Sequence, residues 1–152
     1  MTPPIGNFFP DDLKKNLAAD NFKIGAVFKF FCHLAKKEKR FIFMGEKHDK
    51  SEIALIHINS ELNRNVAPTA ELQNEHILLL QSGRAYLTKD SYVNCTNLVI
   101  RSKTEIFSLL EKNPDMHLGH LSAEDFKILR DKICESRLIP PYKKKPFGLF
   151  LK

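Results

Sequence analysis

The chain has 152 residues, enough for one domain with a substantial core and too few for two full ones. Lys and Arg number 24 against 18 Asp and Glu, a formal net charge of +6, which favours an anionic partner, nucleic acid being the usual one, or else reflects a generally basic surface. Cys32, Cys95 and Cys134 are widely spaced with no Cys-x-x-Cys pair, which argues against a disulfide framework and against a zinc site.

A reducing cytoplasm suits that cysteine pattern. The N-terminus lacks a basic region followed by a long apolar core, and no apolar run approaches membrane-spanning length. The expectation is a cytoplasmic protein that makes no use of a membrane.

In chain order, Pro10-Asp-Asp-Leu-Lys-Lys-Asn-Leu predicts a short helix, acidic at its start and basic after it as the helix dipole favours, with Phe8, Phe9, Leu13 and Leu17 to dock it. Residues 1–22 are thus a helical extension. Gly25 introduces a Phe- and Val-rich run that predicts a first strand near Gly25–Phe31, a helix over Phe28–Leu34 being the alternative. Lys36-Lys-Glu-Lys-Arg40 reads as a charged turn leading into a second strand, Phe41–Met44, bounded by Gly45. Ile53–Ile58 and Ile77–Leu80 read as further strands, with a loop, or one helical turn at Ala70–Gln73, between them.

The stretch from Leu87 to Ile133 carries the clearest signals. Ser91–Cys95 alternates as a strand. Ser102-Lys-Thr-Glu105 has the form of a capping box, with Ile106, Leu109 and Leu110 on one face of the helix that follows. Ser122-Ala-Glu-Asp125 repeats the form with Asp in the acidic place, Leu121 and Phe126 sit as a hydrophobic staple, and Phe126, Leu129 and Ile133 continue the apolar stripe of a helix from Ala123 to about Cys134. The tail, residues 138–152, is basic and apolar and holds too many prolines for a helix; it reads as an extended segment on the surface or as a binding arm.

An alternating segment begun by Lys89-Asp90-Ser91-Tyr92-Val93, a short helix, and Gly119-His120-Leu121-Ser122 opening a last helix resemble the C-terminal half of the MazF/PemK family of ribonuclease toxins. The resemblance implies a mainly β fold with α, a small SH3-like curved β barrel spanning residues 23–137 with short helices and a C-terminal helix. It also implies a metal-independent endoribonuclease toxin that cleaves single-stranded RNA, needs no cofactor, forms a homodimer and is paired with an antitoxin protein.

In such a mechanism a 2′-hydroxyl attacks the adjacent phosphate, which requires a cation on the phosphorane and a proton donor. The family's Arg at the start of its second strand corresponds to Arg40, and its hydroxyl residue at the end of the third strand to Asn59 without a gap or to Ser60 with a one-residue shift. Lys36, Lys37 and Lys39 are the accompanying candidates for phosphate binding. Three features depart from the family pattern: Ala26 follows Gly25 where an acidic residue is usual, the Gly-rich Ser-Glu-Gln loop is replaced by Cys32-His-Leu-Ala-Lys-Lys-Glu-Lys-Arg40, and Phe41 stands in place of Pro. These motivate the alternative of a catalytically inactive barrel that binds nucleic acid or protein.

Other chemistry-bearing residues carry less. His117-x-x-His120 could place two imidazoles near one metal, but no Cys or clustered carboxylate completes a set, so no metal site is expected and a polar loop is the reading. Cys32 and His33 would point to opposite faces of a strand, and His57, between Ile56 and Ile58, reads as a partly buried, hydrogen-bonded histidine. Gly83-Arg84 is a turn and no phosphate-binding Gly-rich loop occurs.

Overall fold

The computed structural model describes residues 21–32, 36–60, 69–70, 73 and 75–150. The expected helix at Pro10–Ala19, and most of the segment expected as a loop between the third and fourth strands, lie outside the described residues. The strands are β1 (Ala26–Cys32), β2 (Lys37–Glu46), β3 (Glu52–Asn59), β4 (His76–Leu79), β5 (Ser91–Asn94), β6 (Val99–Ser102) and β7 (His117–His120). Among the described residues three helices accompany them: α1 (Lys103–Lys112), α2 (Ala123–Glu135) and the single turn α3 (Pro141–Lys144).

All strand pairs are antiparallel, and the sheet runs β4-β5-β3-β2-β1-β7 with β6 also on β3. The fold is therefore the mainly β, partly α class that the sequence implied, a curled half-barrel. One edge of β3 serves two partners: Glu52–Leu55 pairs with β6, and Ile58 and Asn59 pair with β5. Between those partners the chain detours through Cys95 and Leu98, both buried, and Asn94 accepts a hydrogen bond from the Thr96 amide at 2.8 Å.

Alternation along the central strands sorts their side chains into two cores. On one face Ala26, Phe28, Phe30, Phe41, Phe43, Ile53 and Leu55 pack under Ile106 and Leu110 of α1. On the other, Val27, Ile42, Met44, Ile56 and Ile58 pack against Leu129 and Ile133 of α2 and against Ile139, Phe147 and Leu149 from the tail. Both helices start where the caps predict: the Ser102 hydroxyl accepts from the Glu105 amide at 3.3 Å and the Ser122 hydroxyl from the Asp125 amide at 3.1 Å. Neither acid returns the bond as a full capping box would; Glu105 goes to Arg101, and Asp125 to Arg84.

Several sequence expectations change. Lys37–Arg40 is not a turn but the first four residues of β2, paired in register with Lys29–Cys32. Paired backbone hides donors and acceptors whatever the side chains are, so a charged run can extend a strand when its side chains reach water. Val99–Ser102 is a strand that the sequence left unassigned, His117–His120 is a strand and not the polar loop expected, and the fourth strand ends at Leu79.

The tail is neither extended nor a surface arm. Pro141 occupies the first turn of α3, where its missing N–H is not needed, and a 3-10 turn follows over Pro146. Phe147 and Leu149 are buried, and Lys144, also buried, donates from Nζ to the carbonyls of Ile133, Cys134 and Ser136 at 3.3, 3.0 and 2.9 Å, which caps the C-terminal end of α2. The Phe147 carbonyl lies 2.7 Å from where a Cβ would stand on Gly45, so only glycine lets the tail seat on β2. No described helix is long and apolar enough to cross a membrane.

Candidate functional site

Arg40 lies between Lys29 of β1 and Ile58 of β3, in register with both. Its Nε donates to the Tyr86 carbonyl at 3.0 Å, which fixes the stem of the guanidinium; the terminal Nη groups have no partner among the described residues. Because β1 and β2 pair without a shift from Val27 to Cys32, Lys29 and Phe31 share Arg40's face of the sheet. Phe31 is 50% exposed, unusual for a Phe in a strand. Glu38, opposite Phe31, approaches Lys29 at 3.7 Å, but both side chains are well exposed and the pair holds little.

The opposite face at this end of the sheet carries Lys39, Phe41, His57 and Asn59. Lys39 Nζ donates to Asn59 Oδ1 at 3.3 Å, and the Phe41 and His57 rings are 4.5 Å apart. His57 Nδ1 is buried without a hydrogen-bond partner, contrary to the expectation from sequence. Burial, and then the Lys39 charge, lower its pKa to about 4, so it is a neutral imidazole at pH 7.

This geometry separates the sequence candidates. Arg40 and Asn59 lie on opposite faces, and the Asn59 amide is engaged by Lys39. Ser60 is exposed in the bend just after β3. Lys36 and Lys37 are exposed at the β1–β2 end, Lys36 with a φ of 54°, while Lys39 is half-buried on the far face from Arg40. The structure thus groups Arg40 with Lys29 and Phe31, which sequence reasoning passed over. The signal was present: Lys29 breaks an otherwise apolar run, and alternation puts Phe31 beside it.

A cleft of about 560 Å³ opens next to this edge, lined by Phe30, Phe31, Arg101, Glu105, Asp115 and Met116 among others. Arg101 lies over the Phe30 ring at 5.9 Å and pairs with Glu105. Further along the sheet, Arg84, read from sequence as a turn residue, makes a two-pronged ion pair with Asp125 at 2.9 and 3.0 Å, which holds the Asp125 carboxyl below its usual range and ties the loop after β4 to α2.

Among the described residues, no group of three or more His, Cys, Asp or Glu side chains is placed to hold a metal ion. Compared with models of known protein families and with curated proteins, the chain gives no match.

Proposed function

We propose that the chain binds single-stranded RNA on the face of the β1–β2 hairpin that carries Lys29, Phe31 and Arg40, with Lys36 and Lys37 at its end. The observation that supports this reading best is the half-exposed Phe31 ring on one face with Lys29, two residues before it, and Arg40, the register partner of Lys29. Sequence-tolerant binding of single strands uses this combination: cations follow the phosphates while an aromatic ring stacks on a base. Glu38 stands on that face beside Lys29, and Glu105 and Asp115 line the adjoining cleft; all three would repel a phosphate. The RNA backbone would then follow the basic face and leave the cleft to a base.

Binding is tested by fluorescence anisotropy with a labelled single-stranded RNA over a range of salt. Affinity should fall steeply as salt rises, by about 0.7 in logarithmic slope for each phosphate contacted. Salt-independent binding, or none, removes the reading.

Ribonuclease activity is the second reading, favoured by one observation, the anchored Nε of Arg40 with its terminal nitrogens left to meet a phosphate. Ser60 rather than Asn59 would be its partner, since Asn59 lies on the other face. If the chain cleaves RNA, Arg40→Ala should lower the rate about a hundred- to a thousandfold and leave binding less affected. Equal cleavage by the variant would move the site elsewhere. A homodimer, and an antitoxin that covers this face, belong to the same proposal; light scattering at micromolar concentration tests the dimer.

A further inference from the structure

Three residues apart in a regular strand, two side chains point to opposite faces. His117 and His120 do not. Ala26 pairs with His120 and Val27 with Gly119, but Phe28 pairs with His117, so Leu118 is an extra residue in β7, a β-bulge. The bulge shifts the alternation by one and returns both histidines to the face of Ala26 and Phe28. Their Nε2 atoms share a hydrogen bond at 3.1 Å, whose proton a metal ion would replace, with the His117 ring against Phe28 at 5.8 Å between centroids and His120 exposed.

From this convergence we infer that His117 and His120 form a two-histidine chelate for a divalent transition metal ion. This departs from the metal-free expectation of the sequence, which allowed the two imidazoles near one metal but set the site aside for want of a Cys or clustered carboxylate to complete it. With metal–nitrogen bonds of about 2.0–2.1 Å, a nitrogen separation of 3.1 Å subtends roughly 100° at the metal, the angle of two neighbouring ligands in a tetrahedral or square arrangement. Imidazole pairs suit Cu²⁺, Ni²⁺ and Zn²⁺ and not Mg²⁺ or Ca²⁺. Burial holds both imidazoles below their usual pKa, which reduces competition from protons, while the nearby Lys23 cation opposes the metal's charge. No third His, Cys, Asp or Glu joins the pair among the described residues, so the other positions fall to water or to a donor on a bound molecule. The inference does not depend on RNA binding.

The test is titration of the full chain with Cu²⁺ and Ni²⁺ by calorimetry, with electron paramagnetic resonance of the Cu²⁺ form. One ion should bind per chain, with hyperfine structure from two nitrogen ligands, Cu²⁺ more tightly than Ni²⁺ and Mg²⁺ not at all. His120→Gln, at an exposed position, should weaken binding tenfold or more and leave one nitrogen in the spectrum; His48→Ala, at another exposed histidine, should change neither. A one-ion site untouched by His120→Gln and by His117→Gln, or no saturable site at all, overturns the inference.

Discussion

The two ends of β2 show how one strand can serve two purposes. At Phe43–Glu46 the strand is covered on both sides: Phe43 packs among the aromatic rings beneath α1, Met44 lies in the opposite core, and Gly45 receives the backbone of the tail. At Lys37–Arg40 the same strand keeps its backbone pairing but exposes Lys37 and Glu38 and half-exposes Lys39 and Arg40, next to an exposed Phe31. Side-chain packing specifies the first end; backbone pairing, with the side-chain bonds of Lys39 and Arg40, holds the second. The second end is therefore the one free to change its surface chemistry without unfolding the sheet, which is what a binding surface requires.

That contrast is broken most severely at the packed end. Phe147→Ala removes a buried ring that seats the tail and should cost about 3–5 kcal/mol of stability in chemical denaturation. Gly45→Ala should cost about 1–3 kcal/mol through overpacking, because the obstructing atom is a backbone oxygen at 2.7 Å that cannot swing aside. Lys144→Met should cost about 1–3 kcal/mol, since three carbonyls at the end of α2 lose their buried donor, and faster amide exchange in the last turn of α2 would locate the loss.

An effect of similar size, but confined to acid pH, is expected where the two ends meet, at His57. In the unfolded chain this imidazole takes up a proton near pH 6.5, whereas in the folded chain it does so only near 4. Stability from His57 is therefore complete above about pH 6.5, declines as pH falls toward 4 and levels off below that, a loss of roughly 1–3 kcal/mol. His57→Phe should flatten this part of the stability profile. An unchanged slope would show that another group titrates there.

The same contrast explains what could be read from sequence. The packed end was legible because Phe41–Met44 and Ile53–Ile58 are apolar runs bounded by Gly45, Asn59 and Ser60, and because Ser102 and Ser122 mark helix starts by local chemistry. The charged end was read as a turn: Lys37–Arg40 shows no apolar alternation, and its strand character comes from pairing with Lys29–Cys32, a tertiary fact. The tail was misread for a similar reason. Its prolines forbid the interior of a long helix, yet they fit the first turns of two short ones, and the burial of Phe147 depends on a glycine about a hundred residues earlier. The spacing of His117 and His120 allowed their rings to meet in a loop, but the strand and the bulge at Leu118 that bring them together left no mark in the sequence.

At the open end the smallest stability changes should accompany changes in ligand binding. Lys36→Ala and Lys37→Ala, both at exposed positions, should alter stability by no more than about 0.5 kcal/mol. Lys36→Ala should still reduce the salt dependence of RNA binding by about 0.7 in logarithmic slope if it contacts one phosphate, while Lys37→Ala, on the face of Lys39, should change it less.

The central claim, that this end of the sheet is a binding surface, is tested most directly by the affinity of Phe31→Ala for single-stranded RNA at fixed low salt, with thermal unfolding measured on the same sample. The account predicts a loss of roughly 1–3 kcal/mol in binding, about five- to a hundredfold in affinity, with a salt slope like that of the wild type, because a stacked base is lost and no phosphate contact is. Wild-type affinity in a folded Phe31→Ala variant would contradict it.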